Sequence, residues 1–221
     1  MVVPVLNDAR ALAELLDTLR GAFSVHGPQP EIVVVDGGST DAGAATAERY
    51  GCAVVASHPG RGVQLQAGFE QAQGDWIWLL HADSQPGADL ALWLRRLETP
   101  GWGRFDVRFT GKAWLLAVVA AMMNWRSRST GICTGDQGIF VHRSLLEAVG
   151  GIPTQPLMED IELSKRLKRE MPPLCPQICL TTSSRRWEQR GIVRTVVSMW
   201  WFRLRYWAGT DPQALATEYY R

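Results

Sequence analysis

Apolar residues along this chain gather into short unbroken runs, and the stretches between those runs carry helical spacing. Val2-Val3-Pro4-Val5-Leu6, Ile32-Val33-Val34-Val35, 52–56 and Trp76-Ile77-Trp78-Leu79-Leu80 are the runs of the first half. Continuous apolar runs of this length predict strands buried on both faces. Between the first two runs, Leu12, Leu15, Leu16, Leu19 and Phe23 recur at the helical period. Asn7 is placed to cap that helix and His26-Gly27-Pro28 to stop it. Further helices are expected over 42–50, 63–73 and 88–97. Strict alternation of strand and helix predicts a parallel sheet with right-handed crossovers.

The pattern loosens after residue 100. Phe105-Asp106-Val107-Arg108-Phe109 alternates apolar with charged residues, as a half-exposed strand does. Residues 112–125 read as an apolar helix, 138–142 as a strand, and a short helix then ends at Gly150-Gly151. A charged helix over 159–170, a strand over 178–182 and a long helix over 192–207 complete the chain. The predicted class is α/β: one Rossmann-like domain over 1–221, with a mostly parallel central sheet, helices on both faces and a smaller antiparallel portion in the second half.

Four polar clusters follow strands or open helices: Asp36-Gly37-Gly38-Ser39-Thr40-Asp41, Gly60-Arg61-Gly62, His81-Ala82-Asp83 and Met158-Glu159-Asp160. Open α/β sheets bind ligands beyond the carboxyl ends of their strands, so the first three clusters are expected on one rim. A carboxylate there suits a ribose or base, an arginine suits phosphate, and a second carboxylate suits a divalent cation. Each cluster also has a plain structural reading. Asp36 with its glycines makes a turn, Arg61 a solvated charge, Asp83 or Ser84 a helix cap, and Glu159-Asp160 a first-turn acidic pair. Neither GxxxxGK[ST] nor a GxGxxG after the first strand is present, so a glycine-rich phosphate loop is not expected.

Composition narrows the partners. A formal net charge of +1 argues against nucleic acid. Cys52, Cys133, Cys175 and Cys179 include no CxxC pair and read as reduced thiols. The longest apolar run, 113–123, has 11 residues against the ~20 of a membrane-spanning helix, so no transmembrane segment or leader peptide is expected. A cytoplasmic location follows, with peripheral contact at the inner membrane face left open. The last long helix combines Trp200, Trp201, Phe202, Tyr206 and Trp207 with Arg194, Arg203 and Arg205. Packing against the body of the domain is the favoured reading, and a membrane interface is the alternative.

The stretches VVPVLND, VVVDGGSTD, GRGVQLQAG, WLLHADS, GDQGIF and MEDIELSKRL together resemble, in this order, family 2 glycosyltransferases of the GT-A fold. The resemblance runs from the first residues to about Gly191. It is nearest to a bacterial subgroup of small members with HADS in place of Asp-x-Asp and TSSRRWEQRG near the end. It implies a nucleotide-binding half over 1–98, an acceptor and catalytic half over 99–190, and a C-terminal helix and tail over 191–221. It implies donor contacts at Pro4, Leu6, Asp36, Arg61, Ala82 and Asp83, with Asp83 also touching a divalent metal, Mn²⁺ or Mg²⁺. It implies a general base at Asp160 beside Glu159, and acceptor-side contacts at Gly135, Asp136, Gln137, Arg186 and Trp187. His81 stands where many members have aspartate. The implied reaction is inverting transfer of a sugar from a UDP- or GDP-linked donor to a hydroxyl acceptor, a lipid-linked one among the candidates. The alternatives are a non-catalytic nucleotide-sugar-binding protein and a nucleotidyltransferase of related fold.

Overall fold

The structure is a computed structural model that describes residues 1–24 and 27–220. His26, part of the expected stop of the first helix, lies outside the described residues. Strands β1 (Val2–Val5), β2 (Val33–Asp36) and β3 (Ala53–Ala56) pair in parallel, joined by helices α1 (Ala9–Ser24) and α2 (Gly43–Arg49). Helix α3 (Arg61–Gln71) returns the chain to β4 (Trp76–Trp78). There follow β5 (Ser84–Gln85), α4 (Ala88–Leu94), β6 (Trp102–Gly103), β7 (Asp106–Phe109) and α5 (Trp114–Thr130). A 3-10 turn (Gly135–Gln137) leads into β8 (Phe140–His142), α6 (Arg143–Ala148), α7 (Glu159–Glu170) and β9 (Cys179–Thr182). Helices α8 (Arg185–Arg190), α9 (Ile192–Trp207) and α10 (Pro212–Tyr219) end the chain.

The expected mixed sheet is present. β4 joins the parallel strands through a bridge from Leu79 to Val2, and Leu80 N–H donates to the Val2 carbonyl at 3.1 Å. The next rung of this ladder would need an amide hydrogen from Pro4, which has none. The sheet therefore opens between β1 and β4 where the two strands end. On its other side β4 runs antiparallel to β8, which pairs antiparallel with β6. A smaller set places β9 between β5, antiparallel, and β7, parallel.

Side chains alternate across the strands, so β1 and β2 feed two cores. Val3, Val5 and Val34 pack with Leu12, Leu15, Leu16 and Leu19 of α1. Val2, Val33 and Val35 pack with Leu65 and Phe69 of α3. A third cluster lies between β7, α5 and Trp187.

Three expectations change. Asn7 does not cap α1: it sits at φ 53°, and its Oδ1 accepts from Thr40 N at 2.8 Å. Asp41 takes the α1 amide instead, accepting from Ala9 N at 2.8 Å and from Gly43 N at 3.0 Å. The two loops thus satisfy each other's orphan amides, a pairing that no local rule contains. β7 is exposed at Arg108, as the alternation predicts, but Asp106 is buried between Arg104 and Arg128 in an internal charge cluster. α9 is not a core helix: of its large apolar side chains, Phe202 is buried, while Trp200, Trp201, Leu204 and Trp207 are exposed. No described helix is long and apolar enough to cross a membrane.

Gly68 sets how closely α3 approaches the sheet. A Cβ there would collide with Val2 Cγ1 and reach 2.8 Å from Val35 Cγ2. Alanine gains about 1 kcal/mol of helix propensity, whereas overpacking costs about 1–3 kcal/mol. Gly68→Ala is expected to lower the urea midpoint, by a net ~1–2 kcal/mol, and a rise in midpoint would show that the helix can shift outward freely.

Candidate active site

The cleft opened by Pro4 is floored by strand ends and held by side-chain bonds. Asp36 ends β2 level with Val5 and Ala56, and both of its carboxylate oxygens accept from Ser39 N, at 3.1 and 3.2 Å. Buried Gln64 donates to the Val5 and Val35 carbonyls at 2.9 and 2.8 Å, tying the start of α3 to both strands. Pro4 is half buried and Leu6 is exposed at the rim. Ala82 packs against the core that contains Leu80. These expected donor-side positions therefore share one edge of the sheet.

Arg61 and Glu159, 98 positions apart, form an ion pair between the N-termini of α3 and α7. Glu159 is buried and Arg61 is nearly so. Among the described residues, the adjacent Asp160 makes no ion pair. Asp160 Oδ2 accepts from Gly135 N at 3.0 Å, and Oδ1 accepts from Ile161 N at 2.8 Å. Burial, then the charge of Glu159, pushes the Asp160 carboxyl up from 3.8 to about 6, against the opposing pull of Arg61 and the two amides. A carboxylate in that range takes a proton near neutral pH. Met158, which opens α7, has φ 63°. A side chain other than glycine or asparagine is rare in this region, and strain of this kind gathers at functional sites.

Gly135 lets the 3-10 turn close over the site. A Cβ there would collide with Arg61 Nη2 and sit 2.5 Å from His81 Nε2. His81 Nε2 lies 3.9 Å from Asp136 Oδ1. Burial, together with the charges of Arg61 and Arg186, holds the His81 imidazole well below its usual range, so it is neutral. Asp83 is raised from 3.8 to about 6 by burial and by the neighbouring charges of Asp136 and Asp8. Asp136 is raised by burial as well, with Arg61 and Arg186 pulling it down. Asp83 is near enough to Asp136 to feel its charge, and Arg61 and Arg186 stand beside His81 and Asp136. No group of three or more His, Cys, Asp or Glu side chains converges among the described residues. A divalent ion held at Asp83 would therefore take most of its ligands from a bound diphosphate and water.

A cavity of about 160 Å³ joins Arg61, His81, Gly135, Asp136, Glu159, Asp160 and Arg186. A neighbouring space of about 280 Å³ reaches Asp83, Thr110 and Arg185, with Arg185 paired to Asp8 at 2.7 Å. Two expected positions point elsewhere. Gln137 is fully buried: its amide bonds Ser127 and Asn124 at 3.0 and 3.4 Å, and its oxygen accepts from Thr134 N at 3.1 Å. It holds the turn rather than meeting a ligand. Trp187 is buried against Phe109, with ring centroids 5.2 Å apart. Tyr219 and Tyr220 were not foreseen. They reach the cavity from α10 and its end, and Tyr219 accepts from Arg186. A Tyr-Tyr pair near a chain end has no pattern that distinguishes it from surface.

Asp83 has a stability signature. Its folded pKa lies above its ordinary value, so the folded state holds the proton more tightly and stability falls as pH rises from about 4 to 6. In EDTA at pH 7, Asp83→Asn is expected to be more stable than the parent by ~1–3 kcal/mol. Calorimetry that finds it less stable would mean that a compensating cation or donor has been overlooked. Gly135→Ala, measured by affinity for a nucleoside diphosphate, is expected to weaken binding about tenfold or more through displacement of Arg61 and His81.

Known proteins resemble this chain in sequence and in fold. The family described as Glycosyl transferase family 2 matches residues 1–101. An undecaprenyl-phosphate 4-deoxy-4-formamido-L-arabinose transferase of Pseudomonas paraeruginosa is 36% identical over 169 residues, covering 67% of this chain and 48% of that protein. The protein of the same name from Serratia proteamaculans is 30% identical over 166 residues, covering 67% and 50%. The chain thus spans about half the length of the curated relatives it matches. Among solved structures, a mannosyltransferase of Pyrobaculum calidifontis in complex with GDP-Man and Mn²⁺ aligns with a TM-score of 0.62 at 22% identity, covering 81% of this chain and 55% of that one. Glucosyl-3-phosphoglycerate synthase of Mycobacterium tuberculosis with Mn²⁺, UDP and phosphoglyceric acid aligns at 0.58 and 22%, covering 82% and 68%. Residues 1–101 thus match glycosyl transferase family 2 in sequence, and the chain shares its fold with these solved structures.

Proposed function

We propose that the protein is an inverting glycosyltransferase that moves a sugar from a nucleoside-diphosphate sugar to an acceptor hydroxyl. The observation that carries this reading is the division of labour in the Glu159-Asp160 pair. Arg61 pairs with Glu159, while Asp160 makes no ion pair among the described residues and has its carboxyl raised to about 6. A buried carboxyl raised toward neutral pH at a cavity is a candidate acid–base group.

The donor's base and ribose lie along Pro4, Leu6 and Asp36, and its diphosphate lies toward Asp83 and the cationic side chains Arg61 and Arg186. The acceptor oxygen attacks the anomeric carbon from the side of Asp160, the bond to the diphosphate breaks, and the acceptor proton passes to Asp160. The leaving nucleoside diphosphate carries away the electron pair. Arg186, exposed on the cavity wall and bonded to Tyr219, supplies a cation for that developing charge. Asp83 would be the protein ligand of Mn²⁺ or Mg²⁺, which supplies Lewis-acid neutralisation of the diphosphate when bound. The complexes of the two similar structures with Mn²⁺ and a guanosine or uridine nucleotide support this choice of donor class and metal. A place at the inner face of a membrane accords with relatives named for undecaprenyl-phosphate.

Thermal unfolding with UDP, GDP, ADP and CMP, each with Mn²⁺ or EDTA, identifies the donor class, because a ligand of the native state raises the midpoint by mass action. One nucleotide is expected to act, and only with metal; no shift with any of the four sinks the reading. With that nucleotide's sugar, Asp160→Asn is expected to lower kcat about 10²–10⁴-fold while leaving donor affinity intact. Asp160 acts as a base only when ionised, so kcat/KM is expected to fall about tenfold per pH unit below about 6.

A further inference from the structure

Part of the apolar surface of α9 faces a groove. Met122, Trp125, Met199, Trp200 and Leu204 line a space of about 400 Å³ between α5 and α9. Its inner end is Thr134, Met199 and Arg203, which also line the cavity around Asp160. One wall is the Arg126 side chain, whose Nε and Nη2 are buried with no hydrogen-bond partner among the described residues. A buried guanidinium without an acceptor is costly, and burial holds the Arg126 pKa below its usual value. Arg203 likewise makes no ion pair among the described residues. Neither α5 nor α9 contains an acidic residue. Trp125 and Trp200 of the groove are 69 and 63% exposed, and Trp114 and Trp207 elsewhere on the same two helices are 73 and 79% exposed. Tryptophan and arginine without acids are the composition of a surface that meets the headgroup region of a bilayer.

We propose that this groove binds the hydrocarbon chain of a lipid whose anionic phosphate head sits at Arg126 and Arg203, beside the cavity of Asp160. The apolar walls match the chain, and the unpartnered guanidinium matches the phosphate. A second copy of the protein fits less well, because it would lay these arginines against their own duplicates. A lipid of this kind is an acceptor only where its head carries a hydroxyl beyond the phosphate, and that assignment rests on the transferase reading; the binding itself does not.

Isothermal titration of the full chain with dodecyl phosphate below its critical micelle concentration, with inorganic phosphate and with dodecyl maltoside tests the site. Dodecyl phosphate is expected to bind at least about tenfold more tightly than either, because it alone meets both the groove and the arginine. Arg126→Gln removes the charge, and Met122→Asp places a carboxylate at an exposed position of the groove. Each is expected to weaken dodecyl phosphate about tenfold or more and to leave UDP or GDP binding with Mn²⁺ unchanged. Dodecyl phosphate that binds no better than inorganic phosphate, or equally well in both variants, overturns the proposal. So does a dimer, seen by light scattering, that Met122→Asp dissociates. In the unaltered protein, absence of amphiphile binding with the nucleotide shift intact defeats the groove alone. The reverse outcome leaves the groove and defeats the transferase reading.

Discussion

The site depends on the ion pair between Arg61 and Glu159. It joins the first turn of α3 to the first turn of α7, and so couples the parallel nucleotide-side strands to the second half of the chain. Removing one partner from a buried pair leaves an uncompensated charge, which is a heavy penalty, so the two helix ends hold each other in place. The consequence for chemistry is asymmetry. Two adjacent acids at one helix start would repel each other and both suffer from burial. One arginine settles Glu159 and leaves the whole burden on Asp160, whose carboxyl rises to about 6.

Glycine and proline give the site its space. Pro4 ends the ladder between β1 and β4 because it has no amide hydrogen, and the crevice starts there. Gly135 admits the 3-10 turn against Arg61 and His81, and Gly68 admits α3 against Val2 and Val35. Gln137, sealed beneath the turn by Ser127, Asn124 and Thr134, keeps Gly135 N pointed at Asp160. Residues in the middle of a recognisable stretch thus divide between those that meet the cavity and those that hold its wall.

The same division separates the two ends of the cleft. One end is polar, with carboxylates, a neutral imidazole and cations gathered around Asp136. The other is apolar, where α5 and α9 leave a groove beside Met199 and Thr134. A cleft with both characters is suited to a reaction between a charged donor and a partly hydrophobic acceptor.

The sequence by itself determined the element order of the first half, the α/β class and the rim on which Asp36, Arg61 and Asp83 gather. These follow from local periodicity and from the rule that ligands bind beyond strand ends, and both are visible along the chain. Only the tertiary structure decided which charges meet. The pairing of Arg61 with Glu159 spans 98 positions, and two separate loops are joined where Asn7 accepts from Thr40 N and Asp41 accepts from Ala9 N. Alternation at Phe105 to Phe109 marks a half-exposed strand, but it does not show that Arg104 and Arg128 enclose Asp106. The aromatic residues of α9 read as core by composition, but composition carries no direction. Whether an apolar side chain meets a core, a groove or solvent depends on what lies opposite it, and the chain on the other side is set by the fold.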